Sequence, residues 1–276
     1  MNSENQDMVL ISRITLQSGE IFFEALRRNG VYYLRWPRAA EASVGKQGRL
    51  LRFDQKPTAR PVSIQILRRI VKAYASSLQR KDALHATTLE KNGRAMAFIG
   101  PSGEGKSTLA AYLLKNDPSI RLLSDDLLYT ERNKGQVRVV PSGNVPRFKL
   151  SREAHLRFGL DKRHGYKSQY DPNLEKEILQ FPYQTHPRRH LPLVAIVQLY
   201  REGPGLSLKK IKGAKAALTL MANIYNEILR PPRVLKNQFE LCVALSRLVP
   251  VWKLRYPSGF NALPKVTQRL EQLWTP

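Results

Sequence analysis

Residues 97–108 read AFIGPSGEGKST, and the segment from Gly100 to Ser107 matches the pattern G-x-x-x-x-G-K-[ST]. An apolar run precedes this pattern at 95–99, and helix-forming residues follow it at 109–114. A strand, a glycine-rich loop and a helix in that order are the context in which the pattern forms a phosphate-binding loop. The segment therefore predicts an α/β fold that binds a nucleoside triphosphate at this loop.

The chemistry of the predicted loop follows from its backbone. Gly103 and Gly105 allow successive N–H groups to point inward, and the N-terminus of the next helix adds a partial positive charge. We expect Lys106 to reach the β- and γ-phosphates and the Ser107 hydroxyl to bind Mg²⁺. A glycine-rich turn that matches by chance is the alternative, and the flanking elements argue against it. The predicted nucleotide-binding residues are Gly100, Pro101, Ser102, Gly103, Glu104, Gly105, Lys106, Ser107 and Thr108.

The overall composition is that of a globular protein, with 42% hydrophobic and 25% charged residues in a chain of 276. This length suits one large domain, or one domain and a small module. The longest apolar stretch, 192–199, is too short to span a bilayer, and the polar start of the chain does not resemble a secretion signal. Cys242 is the single cysteine, so no disulfide can form within the chain. These features predict a cytoplasmic protein without membrane insertion.

The net charge of +24 arises from 46 Lys and Arg residues against 22 Asp and Glu residues. Such a charge attracts polyanions, so nucleic acid, an acidic peptide and a membrane surface are candidate partners. Only Lys209, Lys210, Lys212 and Lys215 approach a cluster, and no aromatic residues interleave with them to stack bases. The sequence thus favours a solvated basic surface over a dedicated nucleic-acid site.

The periodicity of the chain changes along its length and predicts three parts. Short antiparallel strands with Gly and Asn turns indicate a β-rich N-terminal module at 1–60, and helical spacing indicates a connecting helix at 61–81. The remainder, 82–276, alternates strands and helices. Within it, 161–191 is polar and lacks a clear period, which is typical of a functional or disordered segment. The later helices are predicted at 214–228, 238–248 and 262–273.

A second candidate element follows the loop helix, where residues 120–126 read IRLLSDD. In a β-loop-α-β unit the crossover returns a strand parallel to the first, so its carboxyl end opens beside the phosphate loop. Asp125 and Asp126 would then lie near the γ-phosphate with their side chains pointing apart. One carboxylate can hold Mg²⁺ while the other accepts a proton from an incoming nucleophile. The alternative is an Asp pair that only forms a turn at the strand end.

The segment from Leu84 to Asp126 resembles the catalytic core of the HPr serine kinase family. The shared features, in register, are Leu84-His85, the loop at Gly100–Thr108, and Ser124-Asp125-Asp126. The resemblance implies an HPr kinase/phosphoenolpyruvate-carboxykinase-like P-loop core that uses ATP and Mg²⁺ to phosphorylate a serine. It is greatest to the shorter HPr-kinase-like enzymes found with lasso-peptide biosynthesis, which implies a lasso-peptide precursor as the narrower substrate.

The resemblance also assigns roles to individual residues. His85 would lie against the aspartate pair, although a lone histidine at a strand start is more often structural on sequence grounds alone. Asp125 would be the base, while Ser107 and Asp126 would hold Mg²⁺. Because the sequence does not orient the two aspartates, the reverse division stays open. Arg147 lies where a cation could clamp the transferring group, or it is a surface arginine.

One departure from the family bears on the substrate. The bifunctional HPr kinases carry a Glu-x-Arg-Gly-type signature, and Val140–Leu150 contains no glutamate. This difference argues against reverse phosphorolysis and against HPr itself as the substrate. We expect a serine-bearing peptide or protein that is acidic or modified, and a homo-oligomer agrees with the resemblance because HPr kinases are hexameric.

Two other functions stay open at this point. The first is a catalytically weak regulatory protein that binds a nucleotide and has nucleic acid as its anionic partner, a partner that the charge distribution disfavours. The second is a kinase of small molecules, which the same fold also accommodates.

Overall fold

The computed structural model describes residues 8–57, 59, 61–140, 147–160, 167–171, 175–180, 190–225 and 232–274. These residues form a mixed α/β fold with three sheets, divided into two compact units. The first unit comprises the described residues up to Ala83 together with those of Tyr225–Glu240, and the second comprises those of Leu84–Ile224 and Leu241–Pro276. This division differs from the predicted domains, because the helix expected as a connector and part of the expected main domain both fall in the first unit.

The first unit is an antiparallel sheet whose five strands pair in chain order. Alternate side chains such as Phe23, Ala25 and Leu34 are buried on one face, where they pack with Val71 and Tyr74 of a helix. This confirms the predicted short antiparallel strands. The elements are β1 (Val9–Thr15), β2 (Ile21–Arg28), β3 (Val31–Trp36), β4 (Ala40–Gly45), β5 (Leu50–Gln55) and α1 (Pro61–Leu78).

The second unit is built on a nine-stranded sheet with the order β6-β10-β11-β15-β8-β7-β9, to which β17 adds beside β15 and β16 beside β17. The predicted turn at Asn92-Gly93 is confirmed, since both residues have positive φ and join β7 to β8. The strands are β6 (Ala83–Leu84), β7 (Ala86–Lys91), β8 (Arg94–Ile99), β9 (Ile120–Ser124), β10 (Leu128–Asn133), β11 (Gln136–Val140), β15 (Leu191–Tyr200), β16 (Ser207–Ile211) and β17 (Val251–Arg255).

Strand directions bring several chain segments to one edge of this sheet. Strand β15 is parallel to both β8 and β17. Strand β7 is antiparallel to β8 and to β9, so β9 runs parallel to β8 with β7 between them. The carboxyl ends of β8, β9, β15 and β17 and the amino end of β7 therefore share an edge, where ligands bind in such sheets. The predicted direction of the returning strand is confirmed.

A separate three-stranded sheet has the order β12-β14-β13, with β12 at Arg147–Ser151, β13 at Lys167–Asp171 and β14 at Lys176–Gln180. Within 161–191, predicted to be a functional or disordered segment, β13 and β14 are regular strands, so the disordered alternative is wrong for them. Leu150 and Leu179 are fully buried in the same core as the loop helix. The two strands escaped prediction because each is short and largely polar. Strand β13 pairs with β14, and only the second partner of β14, β12, lies outside this segment.

The helices bury one side each against these sheets. They are α2 (Lys106–Asn116), α3 (Arg152–Phe158), α4 (Gly213–Met221), α5 (Pro232–Leu248) and α6 (Leu263–Glu271), with a 3₁₀ turn at Phe260–Ala262. Helix α4 ends earlier than predicted, where the Asn223 side chain donates to the Thr219 carbonyl. Helix α5 begins earlier than predicted, at Pro232, because proline suits a first helical turn. Among the described residues, no helix is long and apolar enough to cross a membrane.

Candidate active site

The glycine loop lies between β8 and α2 at the shared edge of the sheet. Gly100, Gly103 and Gly105 have φ values of 140°, 95° and 86°, a region that side chains strongly disfavour. A Cβ on Gly100 would lie 3.1 Å from the Leu199 carbonyl oxygen, and one on Gly105 would lie 2.7 Å from the Tyr256 hydroxyl. Two of the three glycines are therefore required by neighbouring strands as well as by backbone conformation.

Two residues that sequence reasoning missed hold the loop from outside. The Tyr256 hydroxyl donates to the Glu104 carbonyl at 2.7 Å, and the Arg201 backbone N–H donates to Glu104 Oε2 at 2.5 Å. Burial raises the pKa of Tyr256 to about 12, so its hydroxyl stays protonated and able to donate. Both residues directly follow buried strands at the shared edge, which is the signal that could have identified them.

Lys106 lies inside the loop and is buried. Its Nζ donates to the carbonyl of Gly100 at 2.6 Å and to that of Pro101 at 3.0 Å. Burial lowers the pKa of this lysine, while the carboxylates of Asp125, Asp126 and Glu104 oppose the shift. The ammonium is thus positioned at the loop, with acidic groups near enough to favour its charged form.

Asp125 is held by hydroxyl groups. The Ser107 hydroxyl donates to Asp125 Oδ1 at 3.2 Å and to Oδ2 at 3.3 Å. The hydroxyl of Thr87, a fully buried residue near the start of β7, donates to Oδ1 at 2.6 Å. Burial and the charge of Asp126 raise the pKa of Asp125, and Thr87, Lys149 and Ser107 oppose that shift. Thr87 is a further site residue that sequence reasoning missed.

Asp126 is held by a lysine and lies near a histidine instead. Its φ of 77° lies in the left-handed region, which is uncommon outside glycine and tolerated best by Asn and Asp. Lys149 Nζ donates to Asp126 Oδ2 at 2.6 Å, and His85 Nε2 lies 4.0 Å from Oδ1. Lys149 comes from β12, so the small sheet contributes directly to the site. The two aspartates therefore meet different chemistry although they are neighbours in the chain.

The structure brings together five of the predicted site residues: Lys106, Ser107, Asp125, Asp126 and His85. The side chain of Arg147 lies outside the described part of the structure, so its role stays a prediction. Lys149, two residues later, contacts Asp126. Of the histidines without a predicted role, His190 pairs with Glu131 and His155 lies on α3. His164 and His186 lie outside the described residues.

The donor set at the loop fits a magnesium ion bound together with a nucleotide. Within the described residues, no three His, Cys, Asp or Glu side chains gather as a metal site. Nucleotide-bound Mg²⁺ takes one or two protein oxygens and completes its shell with phosphate oxygens and water. The Ser107 hydroxyl and the Asp125 carboxylate, already in contact, are such a pair of oxygens.

Comparison with known proteins adds one likeness. No protein-family model matches the chain, and no curated protein matches it. Among solved structures, the HPr(Ser) kinase/phosphatase from Coxiella burnetii is similar over 70% of this chain and 89% of its own, with 15% sequence identity and a TM-score of 0.38. At that identity and TM-score, the likeness does not determine the function of this chain.

Proposed function

We propose that the chain is an ATP- and Mg²⁺-dependent serine kinase that phosphorylates a peptide or protein. The observation that carries this proposal is the division of the aspartate pair between Ser107 and Lys149. A glycine loop with one carboxylate would support nucleotide binding alone. A second carboxylate, placed beside the first and paired with Lys149, supports transfer to an acceptor as well. The narrower assignment of an HPr kinase-like core rests on the sequence resemblance.

Nucleotide binding is assigned to the loop and its lysine. The loop N–H groups and the start of α2 favour phosphate, and Lys106 would exchange its two carbonyl partners for phosphate oxygens. Ser107 and Asp125 would hold Mg²⁺, which neutralises charge on the β- and γ-phosphates when bound. The sequence-based expectation gave the metal to Ser107 and Asp126. The contacts instead favour the reverse division, with Asp125 sharing the metal with Ser107.

Proton acceptance is assigned to Asp126. As the serine oxygen bonds to the γ-phosphorus, the bond from that phosphorus to the β–γ bridging oxygen breaks and ADP leaves. The serine proton passes to the Asp126 carboxylate. Lys149 and His85 orient this carboxylate, and the Lys149 ammonium also lies where it can offset negative charge near the transferring group. Lys149 is thus proposed for a role of the kind predicted for Arg147, whose side chain is not among those described.

The acceptor is proposed on the sequence resemblance, with a serine of a lasso-peptide precursor as the narrower form. The direct test supplies γ-labelled ATP with a serine peptide library that includes such precursors. We expect label in phosphoserine with the wild type and little with Asp126→Asn. A matched control is Asp54→Asn, an exposed acid of the first unit that pairs only with Arg52 among described residues.

Other results of the same assay would contradict the proposal. Label recovered only in a small-molecule acceptor would indicate a metabolite kinase. Tight ATP binding without transfer to any acceptor would indicate a regulatory nucleotide-binding protein.

A further inference from the structure

Strand pairing in the second unit gathers basic residues that are far apart in the sequence. Strand β16 runs antiparallel to β17, with Lys209 opposite Lys253 and Ser207 opposite Arg255. Residues directly opposite one another project from the same side of the sheet, so these positions share one face. Like charges placed directly opposite destabilise a strand pair. The pairing of two lysines therefore calls for a compensating negative charge.

The described part of the chain supplies little of that charge. Arg255 pairs with Glu202 at 3.0 Å. No other described carboxylate forms an ion pair with Arg255, Lys209 or Lys253. Lys253 Nζ lies over the Tyr200 ring, 3.8 Å from its centroid. Burial lowers the pKa of Lys253, and the charges of Arg255 and Lys215 lower it further. Lys215 lies on α4, and its charge acts on Lys253. We call Lys209, Lys215, Lys253 and Arg255 the basic face.

The basic face begins next to the glycine loop. Tyr200, beneath Lys253, is followed by Arg201, whose N–H bonds the Glu104 side chain. Arg255 is followed by Tyr256, whose hydroxyl bonds the Glu104 carbonyl. Strands β15 and β17 therefore each contact the loop through the residue that follows them. A ligand on this face would lie beside the nucleotide.

We propose that the basic face binds an acidic segment of the acceptor peptide, which places the acceptor next to the nucleotide. The proposal rests on the proposed kinase function and names the surface that selects its substrate. Side chains two residues apart on a strand, such as Lys253 and Arg255, are spaced by about 7 Å, the same repeat as alternate side chains of an extended peptide. Carboxylates at alternate positions of such a peptide would match this spacing.

A peptide suits this face better than nucleic acid. Single-stranded nucleic acid gains much of its affinity by stacking bases on open aromatic rings. The Tyr200 ring is covered by the Lys253 ammonium, and Trp252 is opposite Lys210 on the other side of the strand pair. The described residues of the face thus offer cations without an open ring.

The test measures binding directly and does not require phosphoryl transfer. Fluorescence anisotropy would follow a labelled oligoglutamate, and a labelled single-stranded DNA of equal charge, added to the wild-type protein at low salt. The variant Lys209→Gln/Lys215→Gln removes two exposed charges of the face, and Lys46→Gln/Lys265→Gln removes two exposed charges elsewhere. We expect about tenfold weaker oligoglutamate binding in the first variant and less than about twofold in the second.

Steady-state kinetics distinguish an effect on peptide binding at the basic face from an effect on phosphoryl transfer. With an acidic acceptor peptide, the face variant should raise KM and leave kcat unchanged, while a peptide with Gln in place of Glu should show no difference. Equal loss of binding in both double variants, no wild-type binding of oligoglutamate, or an unchanged KM would overturn the proposal. Tighter binding of DNA at the same lysines would also overturn it, in favour of a nucleic-acid surface. If transfer is never observed, the anisotropy result still decides the binding claim.

Discussion

Asp125 and Asp126 are adjacent in the chain, yet they belong to different sides of the candidate site. On the loop side, Asp125 accepts hydrogen bonds from Ser107 and Thr87. On the small-sheet side, Asp126 meets Lys149 of β12 and His85. We propose that the hydroxyl partners suit the Asp125 carboxylate to share a metal ion, whereas Lys149 and His85 suit Asp126 to act on an acceptor. Because the residue type is the same, the different roles proposed for the two carboxylates rest on the partners that the fold supplies.

The largest loss of activity is expected from a substitution on the loop side. Lys106→Met removes the ammonium assigned to the phosphates while keeping the length of the side chain. We expect kcat/KM to fall by about 10³-fold, since a positioned donor that stabilises developing charge has effects of this order. The measurement is transfer from γ-labelled ATP, with Lys72→Met, an exposed change in the first unit, as the control. Transfer by the Lys106 variant at the wild-type rate would remove this lysine from the site.

The next largest loss of activity is expected from a substitution of Asp126, on the small-sheet side. Asp126→Asn removes the proposed base but keeps a residue type that tolerates a positive φ. We expect kcat to fall by about 10²-fold, in the range for general-base catalysis, with ATP affinity nearly unchanged. Rapid-quench kinetics and calorimetric ATP titration check the two parts. A fall in ATP affinity without a fall in kcat would return Asp126 to the metal role.

A change in metal requirement is the matching prediction for Asp125. Asp125→Asn replaces one carboxylate oxygen at Ser107 by an amide nitrogen, and a hard cation binds oxygen ligands. We expect the Mg²⁺ concentration for half-maximal rate to rise by about tenfold, with activity partly recovered at high Mg²⁺. If the rate is lost at every Mg²⁺ concentration, Asp125 is the base and Asp126 is the metal ligand, as the sequence first indicated.

How far the sequence predicts the site depends on which side is considered. The loop from Gly100 to Ser107 is contiguous in the chain, so a local pattern identifies it. Asp125 follows the loop after one crossover connection, and because such crossovers are nearly always right-handed, its place beside the loop can also be predicted. Thr87 and Tyr256 reach the loop side through pairing of distant strands, which no local pattern encodes. On the small-sheet side, sequence reasoning named Arg147 and did not identify Lys149, because nothing in the local pattern marks the lysine and its contact with Asp126 depends on how β12 folds back to the site.

The helices show the same limit at their ends. The amphipathic pattern predicted α4 and α5, but it did not place their ends. Asn223 ends α4 by bonding back to Thr219, and Pro232 begins α5 earlier than the apolar repeat indicated. Side-chain contacts and backbone preferences act at single residues there, whereas periodicity averages over a turn or more.

The contribution of the small sheet can be isolated from that of the base. Lys149→Gln keeps Asp126 but removes the charge that orients it. We expect kcat to fall by roughly tenfold while ATP affinity changes little, because one partly exposed cation beside the acceptor has a moderate effect. Added salt should weaken the wild type towards the variant. An effect on ATP affinity instead would place Lys149 at the nucleotide, on the loop side.

The smallest effect concerns the outer support of the loop. Tyr256→Phe removes the hydroxyl that bonds the Glu104 carbonyl and leaves the buried ring in place. A single hydrogen bond of this kind contributes about 1 kcal/mol, so urea unfolding should show a loss of that size in the free energy of unfolding. Because the phenylalanine has no donor to hold the loop, ATP affinity should also fall, by about threefold, while kcat for bound substrate stays constant. Loss of stability without loss of affinity would mean that the loop keeps its shape through Arg201 alone, and the double change with Glu104→Ala, which removes the acceptor of the Arg201 N–H, would then be needed to release it.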